Sequence, residues 1–184
     1  MSEQQSKRNE IERLDREYTL GTWTRQRDFD PTQIVDTEGP RIVTADGDSI
    51  LDFSSQYVCT SLGYDAERVA DAVSEQIREV PYVNPGWSTE PRAKLSEKLA
   101  EITPGSLKKT FYSTSGTEAN EVAFKIARAY TGNHKILSRY RSYHGATAAS
   151  LSASGDPRRV AQGPDIQPDV PGMIKGPDPY AYGS

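Results

Sequence analysis

An α/β fold with a mainly parallel sheet is what the sequence predicts, and three observations predict it. Residues 109–113, Lys-Thr-Phe-Tyr-Ser, have the composition of a short strand, and Thr114, Ser115, Gly116 and Thr117 lead from it directly into a helical run over 118–130. A second short strand is expected over 135–139, after the break at Thr131, Gly132 and Asn133. Strand, helix and strand joined by short loops imply a right-handed crossover and parallel pairing. Two strands are fewer than the roughly four to six that natural sheets hold, so the chain reads as the front part of a longer protein with an incomplete sheet.

The remaining elements follow in order. Residues 3–17 are strongly polar, with Ile11 and Leu14 three apart, and predict a solvated helix with a thin apolar seam that must dock on something larger. Asp46, Gly47 and Asp48 form a turn signature between β-branched and apolar flanks at 41–44 and 49–53, which predicts a β-hairpin. Over 66–80, Val69, Val73, Ile77 and Val80 fall on one helical face until Pro81 ends the run, and that face is expected to cover a core. Another helix is expected over 89–102, with Leu95, Leu99 and Ile102 on one stripe and Pro104 and Gly105 beyond its end. From 163 to 184 the five prolines and lack of periodicity predict a loop or extended connection. Residues 1–63 are expected to form an N-terminal segment belonging to a small domain, and 64–184 the first part of a larger domain.

Composition narrows the function. The chain has 184 residues, 35% of them hydrophobic and 9% aromatic, enough for a core. With 22 Lys and Arg against 26 Asp and Glu the net charge is -4, so no basic surface suited to nucleic acid dominates. A mean hydropathy of -0.71 leaves no stretch that would span a membrane, and the first twenty residues lack the apolar core of a secretory signal. The single cysteine, Cys59, has no internal disulfide partner. A cytoplasmic protein without nucleic-acid, membrane or metal partners is expected.

The junction at Thr114, Ser115, Gly116 and Thr117 is the place where chemistry is expected. At a helix start, backbone N–H groups lack partners and the helix dipole is positive, so an anion is favoured there. Gly116 allows close approach, and the hydroxyls of Ser115 and Thr117 can donate to phosphate oxygens. The same residues also suit an ordinary helix cap, with Thr117 capping and Glu118 and Asn120 in the first turn. There is no Walker lysine and no dinucleotide glycine spacing, which leaves some other phosphate-bearing cofactor. Tyr143, His144 and Gly145 follow the second strand, so in a parallel sheet they emerge at the same edge, where a flat ring could stack. Otherwise Tyr143 is a half-buried loop aromatic and His144 a polar loop residue.

Five segments occur in order: Asp52-Phe53-Ser54-Ser55-Gln56, Leu62-Gly63-Tyr64, Ser115-Gly116-Thr117-Glu118-Ala119-Asn120-Glu121, Lys125-Ile126-Ala127-Arg128 and Ser142-Tyr143-His144-Gly145-Ala146-Thr147. In sequence and spacing they resemble the class III aminotransferases, over about residues 20–182. The resemblance implies fold type I and pyridoxal 5'-phosphate (PLP), with amino-group transfer from an amino donor, of the ω-amino acid or taurine kind, to a keto acid. It implies that Ser115, Gly116 and Thr117 hold the cofactor phosphate, that Tyr143 stacks on the pyridine ring with His144 beside it, and that Gln56, Tyr57 and Val58 line the substrate pocket. Residues 82–87 match a segment near the dimer interface, and a homodimer is implied for the full-length enzyme. The family's Schiff-base lysine and the acid that pairs with the pyridine nitrogen lie downstream of the last motif. None of Lys7, Lys94, Lys98, Lys108, Lys109, Lys125, Lys135 and Lys175 stands in the lysine's expected context, so no catalytic residue is expected in this chain. A truncated, non-catalytic homologue that binds phosphate compounds or pairs with a complete subunit is the alternative; an isomerase or decarboxylase on the same fold would share these motifs.

Overall fold

The computed structural model describes residues 3–22, 24–157, 169–179 and 182, with the side chains of 3–5 excepted. The chain divides into two compact units, Met1–Trp87 and Ser88–Ser184.

The first unit begins with helix α1 (Glu3–Tyr18). Its polar face carries Arg8–Glu12 and Arg13–Glu17 pairs at i,i+4, and Arg8 also reaches Asp46 at 2.5 Å, which ties the helix to the hairpin turn. Strands β1 (Ile34–Glu38), β2 (Arg41–Thr44) and β3 (Ser49–Leu51) form an antiparallel sheet in that order. The expected hairpin is β2–β3, closed by Thr44 N–H to the Asp48 carbonyl at 2.9 Å. β1 was not expected, because Gln33, Asp36, Thr37 and Glu38 break its apolar pattern. After β3 comes a single left-handed turn, α2 (Ser55–Val58), and then α3 (Glu67–Glu79), close to the helix expected there. The expectation that α3 covers a core is not met within this unit. Val69, Val73 and Ile77 stay 48%, 52% and 56% exposed, since an apolar helix face is buried only where a second apolar surface is supplied.

The second unit carries the buried core. Helix α4 (Glu90–Ile102) matches its prediction, with Thr89 before it and Pro91 in the first turn, where proline costs nothing. Residues 109–113 are not a strand and carry no regular secondary structure. Among the described residues no neighbouring strand pairs with them, and a strand exists only through its partner's hydrogen bonds. Helix α5 (Gly116–Thr131) is the expected helix, stopped by Gly132 in the left-handed conformation with its N–H on the Arg128 carbonyl at 2.9 Å.

Strand β4 (Ile136–Arg139) then leads through the site loop into helix α6 (Ala148–Ala153), and β5 (Met173–Gly176) pairs with β4 in parallel register, Ile136 opposite Met173 and Arg139 opposite Gly176. The parallel pair is therefore β4–β5, and not the pair expected from 109–113 and 135–139. Part of the stretch expected to be a loop from 163 onward is strand: the prolines at 171 and 177 flank β5 without interrupting its ladder. Pro164 and Pro168 lie outside the described residues. Helix α6 packs on β4, β5 and α5 and is the most buried element, with Ala149, Leu151 and Ala153 at 7%, 3% and 0% exposure. Its serines and the C-cap Ser154 are buried too, and each hydroxyl finds a carbonyl: Ser152 on Ala148 at 2.7 Å, Ser154 on Ser150 at 2.9 Å and Ser150 on Thr117 at 3.0 Å.

Candidate functional site

The start of α5 is a helix cap. Ser115 is the N-cap residue, with extended backbone and its Oγ accepting the Glu118 N–H at 3.3 Å. The Glu118 carboxylate reaches back to accept the Thr114 hydroxyl at 2.6 Å and the Thr114 N–H at 2.7 Å, a variant of the capping box. Those two bonds hold Glu118 below the usual carboxylate range, the hydroxyl first and the amide second. The cap leaves the N–H groups of Gly116 and Thr117 without an acceptor among the described residues, at the positive end of a 16-residue helix. Ser115, not the expected Thr117, is the cap; Ser115 and Glu118 satisfy part of the helix end, and the Gly116 and Thr117 N–H groups are left over at its start.

The second predicted group, Tyr143 and His144, sits in the loop between β4 and α6, and that loop lies against the first two turns of α5. Asn120 Nδ2 donates to the His144 carbonyl at 2.6 Å, and the His144 N–H donates to Ser154 Oγ at 2.9 Å, so the backbone of His144 is gripped from both sides. Gly145 is buried with φ +131°, and a Cβ placed on it would stand 2.3 Å from Thr117 Oγ1 and 2.5 Å from Thr117 Cβ. Only glycine permits that approach. Thr147 is bound to Thr117 through their hydroxyls at 2.6 Å. The expected proximity of the two segments is therefore real, and it is made by side chains of α5. The ring of Tyr143 is 47% exposed.

Glu121 and Asn120 stood in the quoted motif but received no role from the sequence. Glu121 Oε1 accepts the Thr147 hydroxyl at 2.7 Å and the N–H groups of Ala149 and Ser150 at 3.0 Å each. Partial burial pushes this carboxyl up, but the bonds from Thr147, Ser150 and Ala149 outweigh it, and the group is held below its ordinary range. The signal available in sequence was a glutamate one turn after Thr117 on the same helix face; its partners lie 26 to 29 residues away.

Gln56, Tyr57 and Val58 belong to the other unit and occupy an unusual turn. Ser55, Gln56, Tyr57 and Val58 all have positive φ, from 48° to 68°, a left-handed turn built from residues that seldom adopt it. Asp52 braces it: Oδ1 accepts the N–H groups of Ser54 and Gln56, each at 3.2 Å, and Oδ2 accepts the Tyr64 hydroxyl at 2.8 Å. The Tyr64 bond, ahead of the turn amides, keeps Asp52 below the usual carboxylate range, while desolvation and then Asp52 raise Tyr64. Tyr57 and Val58 are 75% and 78% exposed. Among the described residues no group of three His, Cys, Asp or Glu side chains could hold a metal ion, and no helix is long and apolar enough to cross a membrane.

Against known proteins, residues 24–182 match the family described as aminotransferase class-III. The chain is 39% identical over 182 residues to a taurine–pyruvate aminotransferase of Bilophila wadsworthia, covering 95% of this chain and 39% of that enzyme. It is 34% identical over 146 residues to an isoleucine 2-epimerase of Lentilactobacillus buchneri, covering 78% of this chain and 32% of that enzyme. Among solved structures, taurine:2-oxoglutarate aminotransferase of Bifidobacterium kashiwanohense, in complex with PLP and glutamate, matches with a TM-score of 0.85 at 32% identity, over 93% of this chain and 38% of that one. The chain spans about a third to two-fifths of the length of these relatives.

Proposed function

The chain belongs to the class-III aminotransferases, and from that premise we propose that it is the N-terminal part of a PLP-dependent enzyme transferring an amino group from an amino donor to a keto acid. The single observation that carries this reading is the junction of α5 with the loop before α6. Two free N–H groups at a helix start stand on the same framework as an exposed tyrosine ring, the combination a phosphorylated aromatic cofactor requires. The donor set fits the cofactor: Gly116 and Thr117 N–H groups and the Ser115 hydroxyl for the phosphate, Tyr143 for the ring, His144 beside it. When bound, PLP supplies the electron sink that lets an amino group leave one carbon skeleton and join another.

The chain's own residues bind and orient. The α5 start neutralises part of the phosphate charge through fixed dipoles, which need no reorganisation when the anion arrives. Asn120 and Ser154 fix the backbone on which Tyr143 and His144 stand. In the other unit, Asp52 and Tyr64 hold the turn that presents Gln56, Tyr57 and Val58, the residues proposed to meet the amino donor. The lysine that carries the cofactor covalently is proposed to lie outside these 184 residues, so this chain alone is inactive. A homodimer in the cytoplasm is proposed for the complete enzyme.

The donor is proposed to be an ω-amino compound or taurine, on the strength of the taurine-transaminating relatives. The test is alanine formation from pyruvate and taurine, β-alanine or 4-aminobutyrate by the complete enzyme with PLP, measured against enzyme stripped of cofactor. No keto-acid-dependent product from any donor would overturn the assignment. The epimerase among the relatives favours a second reading, and conversion of L-isoleucine into its 2-epimer without any keto acid is the result that would support it.

A further inference from the structure

We propose that Glu121 is a positioning residue that fixes the Tyr143 loop to the phosphate-binding start of α5, so that the two halves of the cofactor site move as one body. The proposal rests on the PLP reading above and goes beyond it by assigning a role to a residue outside the set proposed to hold the cofactor.

Three observations carry it. First, Glu121 lies one helical turn after Thr117, and its Oε1 collects three donors from the far segment: the Thr147 hydroxyl at 2.7 Å and the N–H groups of Ala149 and Ser150 at 3.0 Å. Thr147 is the N-cap residue of α6 yet makes no side-chain cap bond of its own; the Glu121 carboxylate, from another element, takes over that task.

Second, the protons on the hydroxyls define a direction. A carboxylate held below its ordinary range is acceptor-only at neutral pH, so the Thr147 proton is committed to Glu121. The 2.6 Å contact between Thr147 and Thr117 must then use the Thr117 proton, which gives a chain Thr117 to Thr147 to Glu121 that ends on the carboxylate. Thr147 N–H returns to Thr117 Oγ1 at 3.3 Å and closes the loop. The acceptor at position 121 sets the direction of the hydroxyl bonds in this chain.

Third, the segment so held is the one that carries the ring. Thr147 lies four residues after Tyr143, with buried Gly145 between them pressed on Thr117 and His144 gripped by Asn120 and Ser154. Releasing the Glu121 end frees the C-terminal side of the loop while leaving the Gly116 and Thr117 N–H groups in their helix.

The experiment uses the complete enzyme with cofactor removed, comparing wild type, Glu121→Gln and Glu121→Leu. Three readouts are taken: the dissociation constant of PLP, the visible circular dichroism of bound PLP, which reports ring orientation, and the dissociation constant of inorganic phosphate. Glu121→Leu removes all acceptors and is expected to weaken PLP by about tenfold or more and to diminish the visible dichroism, with phosphate affinity changed less than about twofold. Glu121→Gln keeps an oxygen acceptor and is expected to recover most of the loss. If Glu121→Leu does not fold, the glutamine variant decides, with an expected weakening of PLP by about two- to fivefold at unchanged phosphate affinity. Unchanged PLP affinity and dichroism, or parallel loss of PLP and phosphate in either variant, would overturn the proposal. Failure of the wild type to bind PLP at all would instead overturn the functional reading beneath it.

Discussion

Replacing Gly145 with alanine tests the junction most directly. The glycine is buried at φ +131°, where an L side chain is strained, a cost of about 1–3 kcal/mol. The new methyl would also stand 2.3 Å from Thr117 Oγ1, 2.5 Å from its Cβ and 3.0 Å from its Cα, well inside contact distance. Thr117 has little room to yield, because its hydroxyl is bound to Thr147 and its backbone belongs to α5; overpacking of this kind costs about 1–3 kcal/mol more. The expected loss is therefore about 2–6 kcal/mol. Gly132→Ala is the control, at φ +70° with nothing within 4 Å of the added carbon, and should cost only about 1–2 kcal/mol. Urea unfolding followed by far-UV circular dichroism measures both. Pairing Gly145→Ala with Thr117→Gly removes the two closest atoms, and should recover about 1–3 kcal/mol beyond additivity. A Gly145→Ala protein within roughly 0.5 kcal/mol of Gly132→Ala would show that the loop does not press on α5 as described.

Three further outcomes are expected. Tyr143→Phe should leave PLP affinity of the complete enzyme nearly intact while Tyr143→Ala weakens it severely, because the ring face supplies the contact, worth about 0.5–1.5 kcal/mol beyond area burial; equal losses would move the role to the hydroxyl. Glu121 is held below its ordinary value of 4.5, so its contribution to stability is complete above that pH and is lost as pH falls through the lower folded-state value. Acid unfolding of Glu121→Gln should therefore be less steep below pH 4.5 than that of the parent, and superimposable curves would contradict the assignment. Borohydride treatment of this chain with PLP should label no single lysine preferentially, as mapped by mass spectrometry; one dominant adduct accompanied by turnover would place the catalytic lysine within the chain.

What the sequence determined by itself is what is bonded locally. The spans of α1, α3 and α4 follow from apolar spacing and the end of α5 from Gly132, since helix hydrogen bonds and caps connect residues no more than about four apart; the cap of α5 lies at Ser115, two residues before the Thr117 that the sequence suggested. The β2–β3 hairpin was legible for the same reason, as Gly47 sits in a turn whose partners are within a few residues. The motif order also carried the family. The tertiary structure decided whatever needs a distant partner. Residues 109–113 have strand composition and no ladder, whereas Met173–Gly176, in a proline-rich stretch, is a strand because β4 is beside it. The left-handed turn at 55–58 exists because Asp52 and Tyr64 brace it, and no propensity of Gln, Tyr or Val announces a positive φ. Glu121 shows the limit most clearly: its identity and helical position were in plain view, but its function lies in three donors that only the packing of α6 against α5 delivers to one oxygen.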